Sequence, residues 1–454
     1  MNIFWKKSLA TVTALMLAVT MLASCTPGAA KTTSPAASQE AGTAIKAVEA
    51  AYPAPIAESM DAQAFVNSKE RWDWINSYIE KTALSQKYQA DMGGCYQVLM
   101  QELLVSEDEN TVCSPLNIYI ALAMLAEVSG GNTRQQILDT LQVSDIESLR
   151  VWVAALWNSN YVNTPILKSL LADSIWLNDS VNYKADTLER LAKEYYASAF
   201  RGTPGSQEMD QALQQWTDKN TGGLLSDYTK NLKLDPETAL ALVSTIYYKA
   251  AWLQEFYADS NTQETFHGVK GDTTVEMMHQ SDTMEIFRGE DFTATRLILK
   301  DSGFVYFYLP KEGADLNKVL KEKELLALLQ SDASKWSSLW VNLSLPKFKV
   351  SRQTDLMATL SALGITDAMD AAKADFSPLT EEKTSLALTK AEHAAVVEID
   401  ENGVTGAAYT ELAVTEGAME IKETMDFTLD RPFIFIVTGQ DGSILFSGVV
   451  RNIE

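Results

Sequence analysis

Three histidines, His267, His279 and His393, are the only imidazoles in the chain, and an enzyme of ordinary type would be built around them. None stands in a pattern that does so. There is no GxSxG elbow to present a serine, no HExxH helix to hold zinc, no Walker loop to cradle phosphate and no CxxC pair. Glu276 and His279 could share one face, but two ligands make no metal site, and they read as a solvated pair. His393 lies in AEHAAVVEI, in register with Ala395, Val397 and Ile399 at the two-residue period of a strand. It reads as a hydrogen-bonded core residue. A Ser-His-Asp triad needs no sequence adjacency, and nothing in the chain suggests one. No metal and no cofactor is expected.

A different signal runs through ENGVTGAAYTELAVTEGAMEIKETMDFTLDRPF at residues 401–433. Val404, Gly406, Ala408, Thr410, Leu412 and Val414 fall on one face. Thr405, Ala407, Tyr409, Glu411, Ala413 and Thr415 fall on the other, the alternation of a half-buried strand. Yet Gly403 and Gly406 stand at its start, and Gly417 and Ala418 interrupt it. Small residues leave a strand little to pack. The stretch has the grammar of a strand without the side chains to hold one.

The elements that must position these residues are legible more coarsely. The chain has 454 residues, 46% of them hydrophobic, enough for a large core. Its net charge of -23 repels phosphate backbones, so nucleic acid is not an expected partner. Lys6 and Lys7 precede the apolar run LATVTALMLAVTMLA, which ends Leu22-Ala23-Ser24-Cys25. This resembles a bacterial lipobox, implying a signal peptide over 1–24, lipidation of Cys25 and an extracellular, cell-surface location with membrane contact through the anchor only. Residues 25–60, rich in Ala, Thr, Ser and Pro, read as a flexible tether. Cys95 and Cys113 are expected to be small buried thiols, a disulfide being the alternative.

Residues 61–454 show no linker and read as one domain with an extra helical segment at its start. Helical patterns come first: ERWDWINSYIEKTALSQKY, NIYIALAMLAEV, TRQQILDTL, SLRVWVAALW and TLERLAKEYYASAF. In NIYIALAMLAEV the apolar residues surround the helix, which predicts burial on all sides. Strand-like runs follow, among them LALVSTIYYKAAW, FVYFYLP, WVNLSLPKFKV, SLALTKAEHAAVVEID, FIFIV and ILFSGVV. Helices crowd the first half and strands the second, which favours an α+β fold with antiparallel or mixed sheets.

Several of these segments, in order, are similar to the serpin family of serine protease inhibitors over about residues 91–454. They are NTVCSPLNIYIALAMLAEVSGGNTRQQILDTL, DKNTGGLLSD, LALVSTIYYKAAWLQEF, LPKFKV, TKAEHAAVVEIDENG, DFTLDRPFIFIV and ILFSGVV. The resemblance implies a serpin fold: three β-sheets, eight to nine helices and an exposed reactive-centre loop, here about Gly403 to Thr424. It also implies a suicide-substrate inhibitor, not an enzyme. A serine protease cuts the loop and is trapped as an acyl-enzyme while the loop inserts as a new strand in the central sheet. That accounts for the strand grammar, because small residues ease entry and correct alternation buries the right face.

Residue by residue, the resemblance makes Glu401, Gly403, Val404, Thr405, Gly406, Ala407 and Ala408 the loop hinge. Ser114 and His393 match the shutter, where the sheet must part. Asn117 and Ser244 stand where the family usually has serine and asparagine, an exchange of amide and hydroxyl within one cluster. Trp252 matches the tryptophan at the breach, where insertion begins, and Lys347 the lysine that bridges to Glu401. The family's hinge length places the reactive bond at Gly417-Ala418, with Glu416 and Met419 as rival cleavage residues. Small residues there suit an elastase- or subtilisin-like protease. Val404 departs from the usual Thr or Ser, and Tyr409 ends the small-residue run early. A non-inhibitory surface interaction protein, or a mere protease substrate, is therefore the competing reading. A monomer is expected.

Overall fold

The computed structural model describes residues 45–329, 333–382, 386–404 and 423–454. Two hydrogen-bonded sheets organise them. The first runs β1 (Ile45–Val48), β5 (Ala197–Gly202), β4 (Lys168–Asn178), β6 (Leu240–Ala251), β14 (Gly403–Val404), β13 (Leu388–Asp400) and β12 (Phe348–Asp355), with β3 (Val162–Asn163) paired to β4. The second runs β15 (Thr424–Thr428), β11 (Ser337–Pro346), β8 (Gly271–Arg288), β9 (Phe292–Ile298), β10 (Phe304–Pro310), β16 (Phe433–Thr438), β17 (Ile444–Val450) and β2 (Thr111–Cys113), with β7 (Thr262–Gly268) paired to β8.

Most pairings are antiparallel, but β4–β5, β6–β13 and β11–β15 are parallel. The class is α+β with mixed sheets, as the order of patterns implies. A separate third sheet is not resolved as its own network, and β8 is the reason. Its 18 residues pair with β7 and β11 along most of their length and then with β9 at Ile286–Arg288. One strand thereby joins what would otherwise be two sheets.

Eleven α-helical segments occur among the described residues: α1 (Ala62–Val66), α2 (Lys69–Leu104), α3 (Pro115–Val128), α4 (Gly131–Leu141), α5 (Ile146–Asn160), α6 (Ala185–Glu194), α7 (Gln207–Asn220), α8 (Ser226–Thr229), α9 (Leu316–Val319), α10 (Lys323–Ala327) and α11 (Met357–Ala362). Five of them, α1 and α8–α11, are only four to six residues long. The expected extra segment is the N-terminal extension of α2. This helix is capped by Ser68, whose hydroxyl accepts from the Arg71 N–H. Its second half buries Met92, Cys95, Tyr96, Leu99, Met100 and Leu103, the three- and four-residue spacing of one helix face. The first half is held by Arg71, whose guanidinium donates to both oxygens of Asp301 at 3.0 Å. Every residue of α3 is buried.

Two expectations are corrected. The tether does not reach residue 60: Ile45–Val48 pairs with β5, and Tyr52 stacks on Tyr161 and Trp157 with ring centroids 5.8 and 6.2 Å away. The helix read over TLERLAKEYYASAF stops at Glu194, and Ala197–Gly202 is β5. Tyr196, at φ +51°, breaks the helix, and a place beside β4 outweighs the helical propensity of the alanines.

Candidate functional site

The start of the hinge is already in the central sheet. Gly403 and Val404 lie between β6 and β13, antiparallel to both: Gly403 opposite Ala251 and Asp400, Val404 opposite Ala250 and Ile399. Val404 is fully buried. Gly403 is at φ +151°, and a Cβ there would fall on the Ala250 carbonyl. Only glycine lets the three backbones approach so closely. Below this wedge β6 and β13 pair with each other directly, as parallel strands, from Leu240 to Thr245 and from Leu388 to Ala394. Among the described residues, 246–249 of β6 and 395–398 of β13 have no partner on the sides that face each other. The central sheet is a fork, closed below, with two residues of loop at its mouth.

The turn into the hinge is pinned by backbone chemistry. The Asp400 carboxylate accepts from the N–H of Asn402 (2.8 Å) and of Gly403 (3.2 Å). The Trp252 indole N–H donates to the Asp400 carbonyl at 2.9 Å, and its main-chain N–H to the Asn402 carbonyl at 3.0 Å. Trp252 itself is buried. Beside it, Lys347 Nζ lies 3.0 Å from Glu401 and 3.4 Å from Glu276. The Asn261 amide donates to both carboxylates, at 2.7 Å to Glu276 and 2.5 Å to Glu401. Burial works against the Lys347 charge, but the two carboxylates outweigh it and raise its pKa. Burial likewise opposes the Glu401 carboxylate, and hydrogen bonds from its own backbone, Lys347 and Asn261 hold it below the usual range. Sequence reading finds the Lys347–Glu401 pair but misses Glu276 and Asn261. Glu276 reads there as half of a pair with His279. On β8 the two residues bond elsewhere, His279 to Thr262, Ser344 and Glu264.

Ser114, Asn117, Ser244 and His393 do come together under the closed part of the fork. His393 Nε2 accepts the Ser114 N–H at 2.9 Å, so the ring proton sits on Nδ1, which has no partner. Burial pushes this imidazole down to about 4, which keeps it neutral. The Ser114 hydroxyl caps α3 by accepting from the Asn117 N–H. Ser244 donates to the Asn117 carbonyl at 3.3 Å. The exchange of amide and hydroxyl is not reciprocal, because neither end of the buried Asn117 side-chain amide finds a partner. Cys95 and Cys113 are free and buried, each thiol pushed up to about 12 by burial. Neither is a nucleophile near neutral pH.

Of the other residues that the sequence singles out, Thr405, Gly406, Ala407, Ala408, Glu416, Gly417, Ala418, Met419 and Cys25 lie outside the described residues. Among the described residues no group of three potential metal ligands occurs. The arrangement that is visible is a sheet with a seam and a two-residue wedge at the seam's upper end.

The family profile that matches the chain is Serpin (serine protease inhibitor), over residues 96–453. An uncharacterised serpin-like protein of Thermococcus kodakarensis is 29% identical over 363 residues, 77% of this chain and 82% of that protein. Alpha-1-antiproteinase 2 of Equus caballus is 30% identical over 355 residues, 76% of this chain and 82% of that one. Among solved structures, the thermophilic serpin tengpin in its native state matches with a TM-score of 0.71 at 24% identity, covering 81% of this chain and 94% of that chain. A complex of thyroxine-binding globulin with thyroxine matches with a TM-score of 0.70 at 25% identity, covering 80% and 99%.

Proposed function

The chain belongs to the serpin family, and from that premise we propose that it inhibits serine proteases as a suicide substrate, by loop cleavage and insertion into the central sheet. The observation that carries this is the paired wedge. Gly403 and Val404 set a register that later residues need only continue, each step along the loop meeting one step back along β6 and β13. Gly406 would then lie between Tyr248 and Val397, and Ala408 between Ile246 and Ala395. Leu412 would lie between Leu242 and Ala391. Thr410 would arrive between Ser244 and His393, residues that now face each other directly. Its hydroxyl can accept the unpartnered His393 Nδ1–H. No charged residue and no proline falls on the inward face between Val404 and Val414, so insertion buries no unpaired charge.

The target is a protease of elastase or subtilisin type, cutting at Gly417-Ala418 with Glu416 and Met419 as rival sites, and the inhibitor acts as a monomer. The chain is anchored outside the cell by a lipid on Cys25, its sole contact with membrane. Mixing the protein with an elastase and with subtilisin tests the inhibitory reading. A band that survives denaturant supports trapping, and sequencing the C-terminal peptide that the denaturant frees identifies the bond. Clean cleavage without a covalent band favours the competing reading, a non-inhibitory surface protein or substrate. Val404 supports that alternative, since inhibitory members usually carry Thr or Ser there, and one structural neighbour, thyroxine-binding globulin, is a complex with thyroxine. Radiolabelled palmitate incorporated by the wild type but not by Cys25→Ser tests the anchor.

A further inference from the structure

The central sheet carries one fully buried acidic side chain, and loop insertion does not use it. Asp173 lies in the middle of β4 and is fully buried. Trp176 on this strand packs in the cluster beneath α7, whereas Leu171, Ile175 and Leu177 belong to the main core. Alternation puts Asp173 on the core side with the latter. Neither of its carboxyl oxygens has a hydrogen-bond partner of normal geometry, and the Ser244 hydroxyl across the strand pair is the one polar side chain that bears on it. Its register fixes its importance: Asp173 is opposite Ser244, Ser244 is opposite His393, and His393 is opposite Thr354. One polar row thus crosses β4, β6, β13 and β12 at the level where β6 and β13 close the fork.

We propose that Asp173 is carried in the sheet as a neutral carboxylic acid, and that losing its proton weakens the closed seam so that alkali primes the sheet to open. The inference rests on the sheet and not on inhibition, and it would hold equally for a non-inhibitory serpin. The groups around Asp173 leave a negative charge no counterion. Burial is the main influence on it, followed by the Ser244 hydroxyl, and no cation is among them. Ser244 moderates the acid from across the strand pair, but the Asn117 carbonyl, 3.3 Å from its hydroxyl, competes for the single proton it can donate. The Tyr52 phenol, from the N-terminal segment, is near and likewise buried without a partner. Asn117 from α3 and Ser159 and Asn160 from α5, the buried polar groups of the same core, are uncharged, and Glu127 of α3 is already paired with Arg150 and Arg190. His393, in the same row, is neutral.

Burial lifts Asp173 from 3.8 to about 7 and depresses His393 from 6.5 to about 4. Between those limits the row holds no charge. The two groups have opposite linkage. The raised acid stabilises the fold most at low pH and loses that contribution as pH climbs through about 7. The depressed histidine contributes fully above 6.5 and loses it as pH falls through about 4. From about 4 to about 6.5 their slopes cancel, so the wild type conceals both.

The test is urea unfolding of the anchor-free wild type and Asp173→Asn at half-unit steps from pH 4 to 9. The ratio of their unfolding constants should change by up to about tenfold per pH unit from about 4 to about 7, in favour of the variant as pH rises, and be flat above. A ratio independent of pH overturns the proposal. Should the variant fail to fold, the wild type still decides. Infrared spectra should show a buried protonated carboxyl band at pH 6 that disappears by pH 9, and absence of that band at pH 6 refutes the idea.

Discussion

Cutting the loop should make the protein harder to melt, and the fork sets the size of the effect. Residues 405–414 would fill the space between 249–240 of β6 and 398–389 of β13, continuing the register of Gly403 and Val404. Each residue of a central strand offers one N–H and one C=O to its neighbours. Against these stand the parallel bonds lost between Leu240–Thr245 and Leu388–Ala394. A net gain of about ten backbone bonds, at the low end of roughly 0.5 kcal/mol each, gives a floor of about 5 kcal/mol. Unfolding entropy of about 2.1 cal/mol/K per residue, over a body of roughly 400 residues, converts that to a rise of about 6 °C in Tm. The loop is nicked with a metalloprotease, which forms no acyl-enzyme, the single cut is verified by mass, and intact and nicked protein are melted by circular dichroism. Val404→Arg is the control, because an arginine buried unpaired at the mouth of the fork blocks entry and should abolish the gain. A nicked wild type that melts at or below the intact temperature refutes the reasoning, because no stored difference then exists to drive insertion.

Other outcomes follow from single contacts. Gly403→Ala drives a Cβ onto the Ala250 carbonyl, so it should expel the wedge at a cost of about 1–3 kcal/mol, read as a lower urea midpoint and faster protease cleavage of the loop. Lys347→Met leaves Glu276 and Glu401 together without their cation; for so partly exposed a cluster the loss should stay near about 1 kcal/mol. Because Glu401 is held below its usual 4.5, that loss should be complete above about pH 4.5 and shrink as pH falls below it. Cys95 and Cys113 should resist iodoacetamide at pH 8 in the folded protein and react only on unfolding, since both are buried with thiols pushed up to about 12.

What the sequence reveals of this fold is what short-range pattern encodes. Alternation in AEHAAVVEI puts His393 inside, and the apolar girth of α3 announces a helix buried on every side. The motifs of the hinge and breach position Gly403, Trp252, Lys347 and Glu401 because close approach and a capped turn restrict residue type. Relations between distant strands are less visible. Asp173 looks like any acid in ADSIWLN, and only its register with Ser244 and His393 gives it meaning. Asn261 and Glu276 join Lys347 through pairing of β7 with β8, which no local period foretells. The alanines of Ala197–Gly202 favour helix, and a neighbouring strand pulls the segment into the sheet.

The second sheet carries its own consequence for how cleavage must be detected. Everything after the loop is woven into that sheet: β15 lies along β11, β16 between β10 and β17, and β17 against β2. The side chains of Phe433–Val437 are wholly buried. Wherever the bond is broken, the short tail has nowhere to diffuse and stays lodged as internal scaffolding. The two pieces should therefore co-migrate on a sizing column as one particle of unchanged mass, and a cut chain will pass for an intact one until its strands are pulled apart.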